Sequence, residues 1–376
     1  VHFWQKARIN YVYVFEFNPR KRLTDVQNIE LALNSTLVYL ANFTLFLRKR
    51  EWGLGAVRSE VFPITLWIYV LLQCFGPVFL VSKWRNNRVV LESLGQVIIA
   101  PFGRKRFLDT VIADVLTSTV KIIIDFYHVL KLSTLFFFPN MPGASWLANS
   151  SDLIFVPLLS ALPLMFRFLQ SIRGYYDTQQ RWPNLINALK YAVAHSIVIA
   201  GSFHPSFQKN AIGSDWPIGR WLWLASTILS TIFTFTWDVT MDWGLWENGK
   251  MRKSLIFSHW SWHYWVMISN LILRFTWTLT LTPFSVFTDA NVYQYVTVPL
   301  IAFLEIFRRY QWTLIRVEWE HIRHAHVGFQ SAPVFFDNER EKRERARNMG
   351  NRPNLIVESL LMVIAFVLVG TLAAIM

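Results

Sequence analysis

The sequence predicts an all-α fold, a polytopic transmembrane helix bundle of about eight to ten spans. Its composition is the first reason. Hydrophobic residues make up 53% of the chain, with 18 Trp and 31 Phe, whereas charged residues make up only 16% and the mean hydropathy is +0.30. The second reason is that apolar stretches of about 20 residues, the length that crosses a bilayer, recur along the chain. No class of soluble protein fits this pattern.

About nine stretches have the length and apolar composition of a span. They are residues 29–47, 61–81, 107–137, 152–171, 184–203, 218–237, 259–281, 290–312 and 354–376. The stretch 89–101 is shorter, contains Glu92 and ends at Pro101. We therefore expect it to form an interfacial or re-entrant helix rather than a crossing.

Basic residues orient the bundle, because short loops rich in Lys and Arg stay on the cytoplasmic side of a membrane. Residues 83–88 and 103–106 are strongly basic, whereas residues 138–151 and 282–291 are nearly uncharged and are expected outside. The loop 48–58 is basic yet falls outside in this scheme. The net charge of +13 would attract anionic membrane lipids and concentrate an anionic substrate. Nucleic acid is not expected as a partner.

Two predicted spans carry arginine within apolar sequence: Arg274 in LILRFTWTLTL, and Arg308 with Arg309 in FLEIFRRYQW. A guanidinium at membrane depth costs at least ~2.5–3.5 kcal/mol, so such residues usually face a bundle interior or a wet cavity. The planar, permanently charged group suits phosphate or carboxylate. Glu305 lies three residues before Arg308, so the two can form an ion pair when no anion is bound. An anion path is therefore the first function to suspect.

The span 107–137 contains Asp114, Thr117, Lys121 and Asp125, whose spacing places them on roughly one stripe of a continuous helix. Two interpretations stay open. In one, Lys121 and Asp125 form a self-compensating ion pair that fixes helix packing. In the other, the stripe is the polar wall of a conduit, where Asp114 and Thr117 hydrogen-bond to a partly protonated substrate.

The span 184–203 supplies Lys190, Tyr191 and His195 in NALKYAVAHS. A lysine is a mobile point charge that can follow an oxyanion, and the tyrosine hydroxyl can donate beside it. The alternative is that Lys190 forms an ion pair for packing. His195 is interpreted as a hydrogen-bonded core histidine, with proton coupling as the alternative role.

Two further features are ambiguous from sequence. Asp238 and Asp242 lie one turn apart in TWDVTMDWGLW, and we expect them to neutralise arginines on neighbouring helices; an acid/base pair is the alternative. Trp277 lies three residues after Arg274, on the same face of a continuous helix. It is either a packing tryptophan or an aromatic group that closes a pathway beside a cationic site.

Several function classes lack their motifs. The sequence contains no Walker loop, glycine-rich dinucleotide turn, HExxH zinc motif or G-x-S-x-G elbow. His321, His324 and His326 could collect a metal, but no convincing carboxylate geometry accompanies them. The single Cys74 cannot form a disulfide framework. We therefore predict no catalytic residue, no metal and no cofactor.

Long blocks of the sequence together resemble the EXS-domain phosphate exporters of the Syg, Xpr and Pho type. The blocks are KARINYVYVFEFNPR, IADVLTS, RGYYDTQQRWPNLINALKY, TWDVTMDWGLWE, ILRFTWTL and EIFRRYQWTLIRVEWEH, in one order over roughly residues 1–321. The resemblance implies a pore-forming EXS helical bundle, efflux of inorganic phosphate down its gradient, and a homodimer. Family members usually carry an SPX domain that senses inositol pyrophosphate. Nothing in these residues corresponds to that domain, so inositol pyrophosphate is expected to act only through it.

The resemblance also implies a site. The phosphate-coordinating groups fall on Lys190, Tyr191, Arg274, Arg308 and Arg309. Supporting acidic and polar groups fall on Asp114, Thr117, Asp238, Asp242 and Glu305, and the gating aromatic falls on Trp277. Thr117 stands where animal members have asparagine, which could alter affinity or protonation preference at that end of the path.

The expected organisation has four parts. Residues 1–106 form N-terminal transmembrane scaffold helices with the interfacial segment, and residues 107–321 form the EXS bundle with the anion pathway. Residues 322–353 are a charged cytoplasmic segment. Residues 354–376 are an additional hydrophobic helix that has no match in the family pattern. We expect a multi-pass protein of the plasma membrane, with the Golgi as the alternative.

Two other function classes stay open. A polytopic membrane enzyme, acyltransferase-like with His195 as base, would need a second catalytic group near His195 and a tunnel for the acyl donor. Aspartates grouped with arginines argue against it. A receptor or scaffold without transport would leave the intramembrane Arg and Lys set without a purpose.

Overall fold

The computed structural model is built from helices, which confirms the all-α prediction. It describes residues 1–17, 25–49, 51–53, 55–75, 84–100, 102–103, 105–203, 218–247, 249–257, 259–281 and 296–326, with a few positions between 357 and 364. The loop 282–291 and most of the charged segment 322–353, for which the sequence made predictions, lie outside these residues.

The helices of the described residues follow one another along the chain. They are α1 (His2–Lys6), α2 (Tyr11–Val14), α3 (Asp25–Arg48), α4 (Val61–Phe75), α5 (Trp84–Ile99), α6 (Phe107–Ser118), α7 (Val120–Phe137), α8 (Ala144–Asn149), α9 (Asp152–Thr178), α10 (Arg181–Phe203), α11 (Ile218–Trp237), α12 (Trp260–Arg274) and α13 (Val298–His326). A short antiparallel hairpin, β1 (Trp246–Glu247) and β2 (Lys250–Met251), is the one sheet among the described residues.

The chain divides into two compact units. The first contains Val1–His2, Phe17–Gly95 and Val120–Ser160, and the second contains Phe3–Glu16, Gln96–Thr119 and Ala161–Met376. In the first unit, α3 lies along α4, and Asn42 Nδ2 donates to Thr65 Oγ1 at 2.7 Å. Helix α4 packs on α7 through stacked rings of Trp67 and Phe126, whose centroids are 4.6 Å apart.

Three of the described helices are long and apolar enough to cross a membrane. They are Val26–Arg48, Asp152–Thr178 and Trp221–Asp242, and Val61–Gln73 is a shorter apolar helix. Other predicted spans coincide with helices that contain more charge. Helix α13, for example, includes Glu305, Arg308 and Arg309 within 29 residues.

The single helix expected over 107–137 is wrong, because the chain breaks at Thr119 between α6 and α7. Asp114 and Thr117 therefore lie on α6 in the second unit, and Lys121 and Asp125 lie on α7 in the first. The two pairs do not share one helical stripe. Lys121 and Asp125 form the expected ion pair, with both side chains about half exposed, so it contributes little to packing.

The core of the second unit contains large aromatic side chains. Trp243, Leu245, Val266, Trp312 and Ile315 are buried together between α12, α13 and the chain before the hairpin. The turn between Trp243 and Leu245 requires glycine at position 244. The φ angle there is +53°, and a Cβ atom would lie 2.4 Å from the Trp319 ring. A second cluster joins α9 to α10, and Val363, within the predicted hydrophobic tail, packs against it.

Glu318 anchors the hairpin region to the helices of the second unit. The side chain is fully buried on α13 and accepts a hydrogen bond of 2.7 Å from the backbone N–H of Ile256. His263 Nε2 of α12 lies 2.9 Å from its carboxylate, and the Arg252 guanidinium lies 3.2 Å away. A buried carboxylate is stable only when it is paired in this way, so these contacts depend on one another.

Two helices of the second unit, α11 and α12, lose regular α geometry at their C-terminal ends. The end of α11 continues as a π-helical turn, Asp238–Asp242, in which Trp243 N donates to Asp238 O at 2.8 Å. Helix α12 ends at Arg274, and a 3₁₀ segment, Thr276–Leu281, follows Phe275. The continuous helix expected over 259–281 is therefore wrong. Such turns are common at functional sites and hinges.

Candidate functional site

A cavity of about 270 Å³ lies within the second unit, between α6, α10, α11, α12 and α13. A water molecule takes about 30 Å³ of liquid, so the cavity has room for a small oxyanion with part of its hydration shell. All ten predicted substrate-binding and supporting residues line it: Asp114, Thr117, Lys190, Tyr191, Asp238, Asp242, Arg274, Glu305, Arg308 and Arg309. Trp277 is not among the lining residues.

The π-turn and the break in α12 bring the first ion pair together. Asp238 begins the π-turn and forms an ion pair with Arg274, which ends α12. The second guanidinium nitrogen of Arg274 donates to Thr234 Oγ1 at 3.0 Å. Because both residues stand where regular helix stops, their side chains reach into the cavity rather than along a helix surface.

A second ion pair lies on α13. Arg308 Nε donates to Glu305 Oε2 at 2.9 Å, and another nitrogen of the same guanidinium contacts the second carboxylate oxygen. The expected pairing across three residues therefore forms. In this bidentate pair Arg308 is buried and Glu305 is partly buried, with side-chain exposures of 6% and 28%.

Asn270, which the sequence analysis missed, connects these two pairs. Its Nδ2 donates to Asp238 at 3.0 Å, and its Oδ1 accepts from Arg308 at 3.2 Å. The residue is buried on α12, four positions before Arg274 and hence on the same helical face. That spacing, a polar amide one turn from an intramembrane arginine, was the available signal.

A third ion pair includes Arg167, the other residue that was missed. Its guanidinium lies 2.8 Å from Asp114 and donates to the Tyr191 hydroxyl at 3.0 Å; that hydroxyl also lies 3.2 Å from Asp114. Arg167 is 3% exposed. It interrupts the apolar run LPLMFRFLQ of α9, so the rule that singled out Arg274 also applied to it.

Thr117 holds Arg309 at the α6 side of the cavity. The Thr117 hydroxyl donates to Asp114 O at 2.7 Å and accepts from Arg309 Nη2 at 3.2 Å. Arg309 Nε donates to Ser118 Oγ at 2.8 Å. Hydroxyl groups orient this guanidinium without neutralising its charge. Among the described residues, Arg309 has no carboxylate partner.

Lys190 is the second cation of the cavity that no carboxylate neutralises among the described residues. It is 4% exposed, and its Nζ lies 4.4 Å from the centroid of the Tyr191 ring and 4.9 Å from that of Trp237. The packing ion pair that was the alternative for this lysine is absent from the described part of the chain. Its charge is stabilised by aromatic faces instead.

Asp238 forms the predicted ion pair with an arginine, Arg274, whereas the predicted pair of Asp242 is not present within the described residues. The carboxylate of Asp242 lines the cavity but makes no hydrogen bond or ion pair within the described residues. The physical reason is that Arg274 and Arg308 are already committed to Asp238 and Glu305.

Trp277 lies beyond Arg274, on the 3₁₀ segment. Its ring meets Trp223 of α11 edge to face, with centroids 6.3 Å apart and planes at 80°. Trp223 is itself fixed, because its Nε1 donates to Ile197 O of α10 at 3.3 Å. His195, the base of the enzyme alternative, does not line the cavity.

Comparison of the sequence with known proteins identifies relatives of the chain. A family model described as the EXS family matches residues 1–322. The chain is 35% identical over 333 residues to SPX and EXS domain-containing protein 1 of Dictyostelium discoideum, covering 86% of this chain and 35% of that protein.

Two vertebrate relatives extend the comparison. The chain is 30% identical to a xenotropic and polytropic retrovirus receptor 1 homolog of Xenopus laevis and 28% identical to solute carrier family 53 member 1 of Homo sapiens. Each match covers 86% of this chain and 47% of the relative, so the chain spans less than half the length of these curated relatives. With its membrane-length helices the chain is an integral membrane protein. It belongs to the EXS family.

Proposed function

We propose that the chain conducts inorganic phosphate out across a membrane through this cavity, as a passive, channel-like transporter and not an enzyme. The observation that carries the proposal is the presence of two cations, the buried Lys190 and the partly buried Arg309, that line the cavity without a carboxylate partner among the described residues. Other cations of the cavity already have partners. Lys190 and Arg309 are therefore the groups whose charge an entering anion would meet.

Three further observations support an anion of this size and charge. With Arg167 included, the cavity region holds five cationic and four acidic side chains, an excess of one positive charge if all are ionised. The paired groups keep the field moderate, which suits conduction because a bound ion must also leave. The name of one relative, solute carrier family 53 member 1, describes a transporter and supports a transport function.

We propose Trp277 as the gate of this path. It follows Arg274 in the chain and precedes the loop 282–291, which the charge pattern places outside. The 3₁₀ segment that carries it gives the chain a point at which it can rotate without breaking α12. Contact with Trp223 would hold the closed position. The plasma membrane location and the homodimer are proposed on family resemblance alone.

The test is efflux of radiolabelled phosphate from proteoliposomes, with and without inositol pyrophosphate, using this chain and the full-length protein. Arg309→Ala is expected to lower efflux about 10- to 100-fold, since it removes hydrogen bonds from a charged donor to the anion. It strands no carboxylate, so the fold should survive. Lys121→Ala, in the exposed ion pair of the first unit, is the matched control and should keep the parent rate.

The gate is tested in the same assay. Trp277→Ala is expected to raise efflux at rest, because the contact with Trp223 is lost. Absence of phosphate flux in every condition would overturn the transport proposal. Flux that persists unchanged in Arg309→Ala would show that phosphate takes another route.

A further inference from the structure

We propose that Asp242 makes the cavity selective for tetrahedral oxyanions that carry a proton, such as phosphate and arsenate, and against sulfate. The inference rests on the proposed function and names the feature of the substrate that the site reads. Asp242 would accept a hydrogen bond from the P–OH group, while Lys190 and Arg309 bind the charged oxygens.

The carboxylates of the cavity are not equivalent. Asp114 is paired with Arg167, Asp238 with Arg274, and Glu305 with Arg308. Asp242 alone among the lining carboxylates has neither an ion pair nor a hydrogen bond within the described residues. It is therefore the carboxylate best able to accept a proton donor from a substrate.

Asp242 is also placed next to the cationic part of the site. Asp242 lines the same cavity as Lys190 and Arg309, and no nitrogen–oxygen ion pair joins it to either of them within the described residues. Asp242 ends the π-turn that Asp238 begins, so one irregular turn presents a paired carboxylate and an unpaired one to the same cavity. An anion held by Lys190 would thus lie beside a negative acceptor.

That combination distinguishes anions of equal charge and shape. Hydrogen phosphate and sulfate are both tetrahedral dianions, but only phosphate carries an O–H group near neutral pH. The O–H group of phosphate can donate a hydrogen bond to Asp242, whereas sulfate would bring an oxygen lone pair against a carboxylate oxygen. Sites built to hydrogen-bond a substrate O–H reject analogues that lack it by up to about 10⁴- to 10⁵-fold.

The experiment measures competition against labelled phosphate in the reconstituted chain. Unlabelled arsenate, sulfate and fluorophosphate serve as probes, since fluorophosphate replaces the O–H of phosphate with fluorine. In the parent we expect arsenate to compete about as well as phosphate. Sulfate and fluorophosphate should compete at least ten times more weakly.

Asp242→Asn provides the decisive variant. The amide keeps the size of the side chain but removes the negative charge that repels sulfate, so the preference for phosphate over sulfate should fall at least tenfold. Asp242→Glu, which keeps the acceptor, should retain more of that preference. Asp125→Asn, an exposed carboxylate of the first unit, is the matched control and should keep the parent ratio.

The outcomes separate this inference from the proposed function. If the parent shows no phosphate flux, the proposed function fails. If phosphate flows but sulfate and fluorophosphate compete equally well, or folded Asp242→Asn keeps the parent ratio, the selectivity inference alone is overturned. Should Asp242→Asn fail to fold, Asp242→Glu decides together with the parent: an unchanged phosphate-to-sulfate ratio in folded Asp242→Glu, or equal competition by fluorophosphate in the parent, overturns the inference, and a reduced ratio supports it.

Discussion

Lys190→Met is expected to lower phosphate efflux about 100-fold while leaving the thermal stability of the protein unchanged or raised. Efflux falls because the cavity loses one of its two cations that have no carboxylate partner in the described part of the chain. Stability should not fall, because the Lys190 ammonium makes no contact ion pair within the described residues. The desolvation cost that methionine avoids offsets the lost attraction to Asp242. The measurements are proteoliposome efflux and thermal unfolding in detergent.

Arg308→Met is the informative comparison for that prediction. It should lower efflux too, but it also leaves Glu305 and the Asn270 carbonyl without their donor. Breaking a buried pair typically costs about 3–5 kcal/mol, so its unfolding temperature should drop. Equal losses of stability in the two variants would contradict the assignment, because Lys190 would then be a structural group.

Glu318→Ala is expected to destabilise the second unit by about 3–5 kcal/mol, the typical cost of breaking a buried ionic cluster. The change removes the carboxylate that pairs with the buried Arg252 guanidinium and with His263, and it leaves the Ile256 N–H without its acceptor. Thermal or denaturant unfolding in detergent measures it. Glu51→Ala is the control, since Glu51 forms an exposed pair with Arg48 and should change stability by less than about 1 kcal/mol.

A change of less than about 1 kcal/mol in Glu318→Ala, within the range of an exposed pair, would show that the cluster does not fix the hairpin region. The readout is independent of transport. It therefore tests the packing of α12 against α13, the two helices that carry Arg274 and Arg308.

The sequence predicted which residue types line the cavity better than it predicted which side chains pair with one another across helices. Intramembrane cost singled out Arg274, Arg308 and Arg309. The chemistry of an oxyanion ligand singled out Lys190 and Tyr191, which the family resemblance also implies, and all five line one cavity. Short-range pairing on one helix, as between Glu305 and Arg308, follows from spacing alone. Whether these residues bind phosphate stays a prediction.

Contacts between distant helices could not be foreseen in the same way. Which arginine meets Asp114 depends on how α9 packs against α6, and residue spacing within a helix says nothing about that. That Asp242 makes no ion pair with any residue that the structure describes likewise follows from where the π-turn ends. Departures from α geometry of this kind have no reliable signature in one sequence.

The break at Thr119 did leave a local signal. Thr117 and Thr119 both donate their side-chain hydroxyls to backbone carbonyls three residues earlier, at 2.7 and 3.2 Å. Such bonds compete with the helical ladder. The run TSTV in the middle of a long apolar stretch was therefore a place to expect an interruption, and reading the stretch as one helix gave too much weight to hydropathy.

The side-chain amide of Asn270, which bridges two ion pairs, bears on how fast the cavity would release a bound anion. Because it ties two neutralised pairs together, the resting cavity already satisfies most of its own charges. An arriving anion gains only the attraction of the remaining cations and loses little when it departs. If the cavity conducts anions as proposed, such a site would favour rapid release of the anion over tight retention.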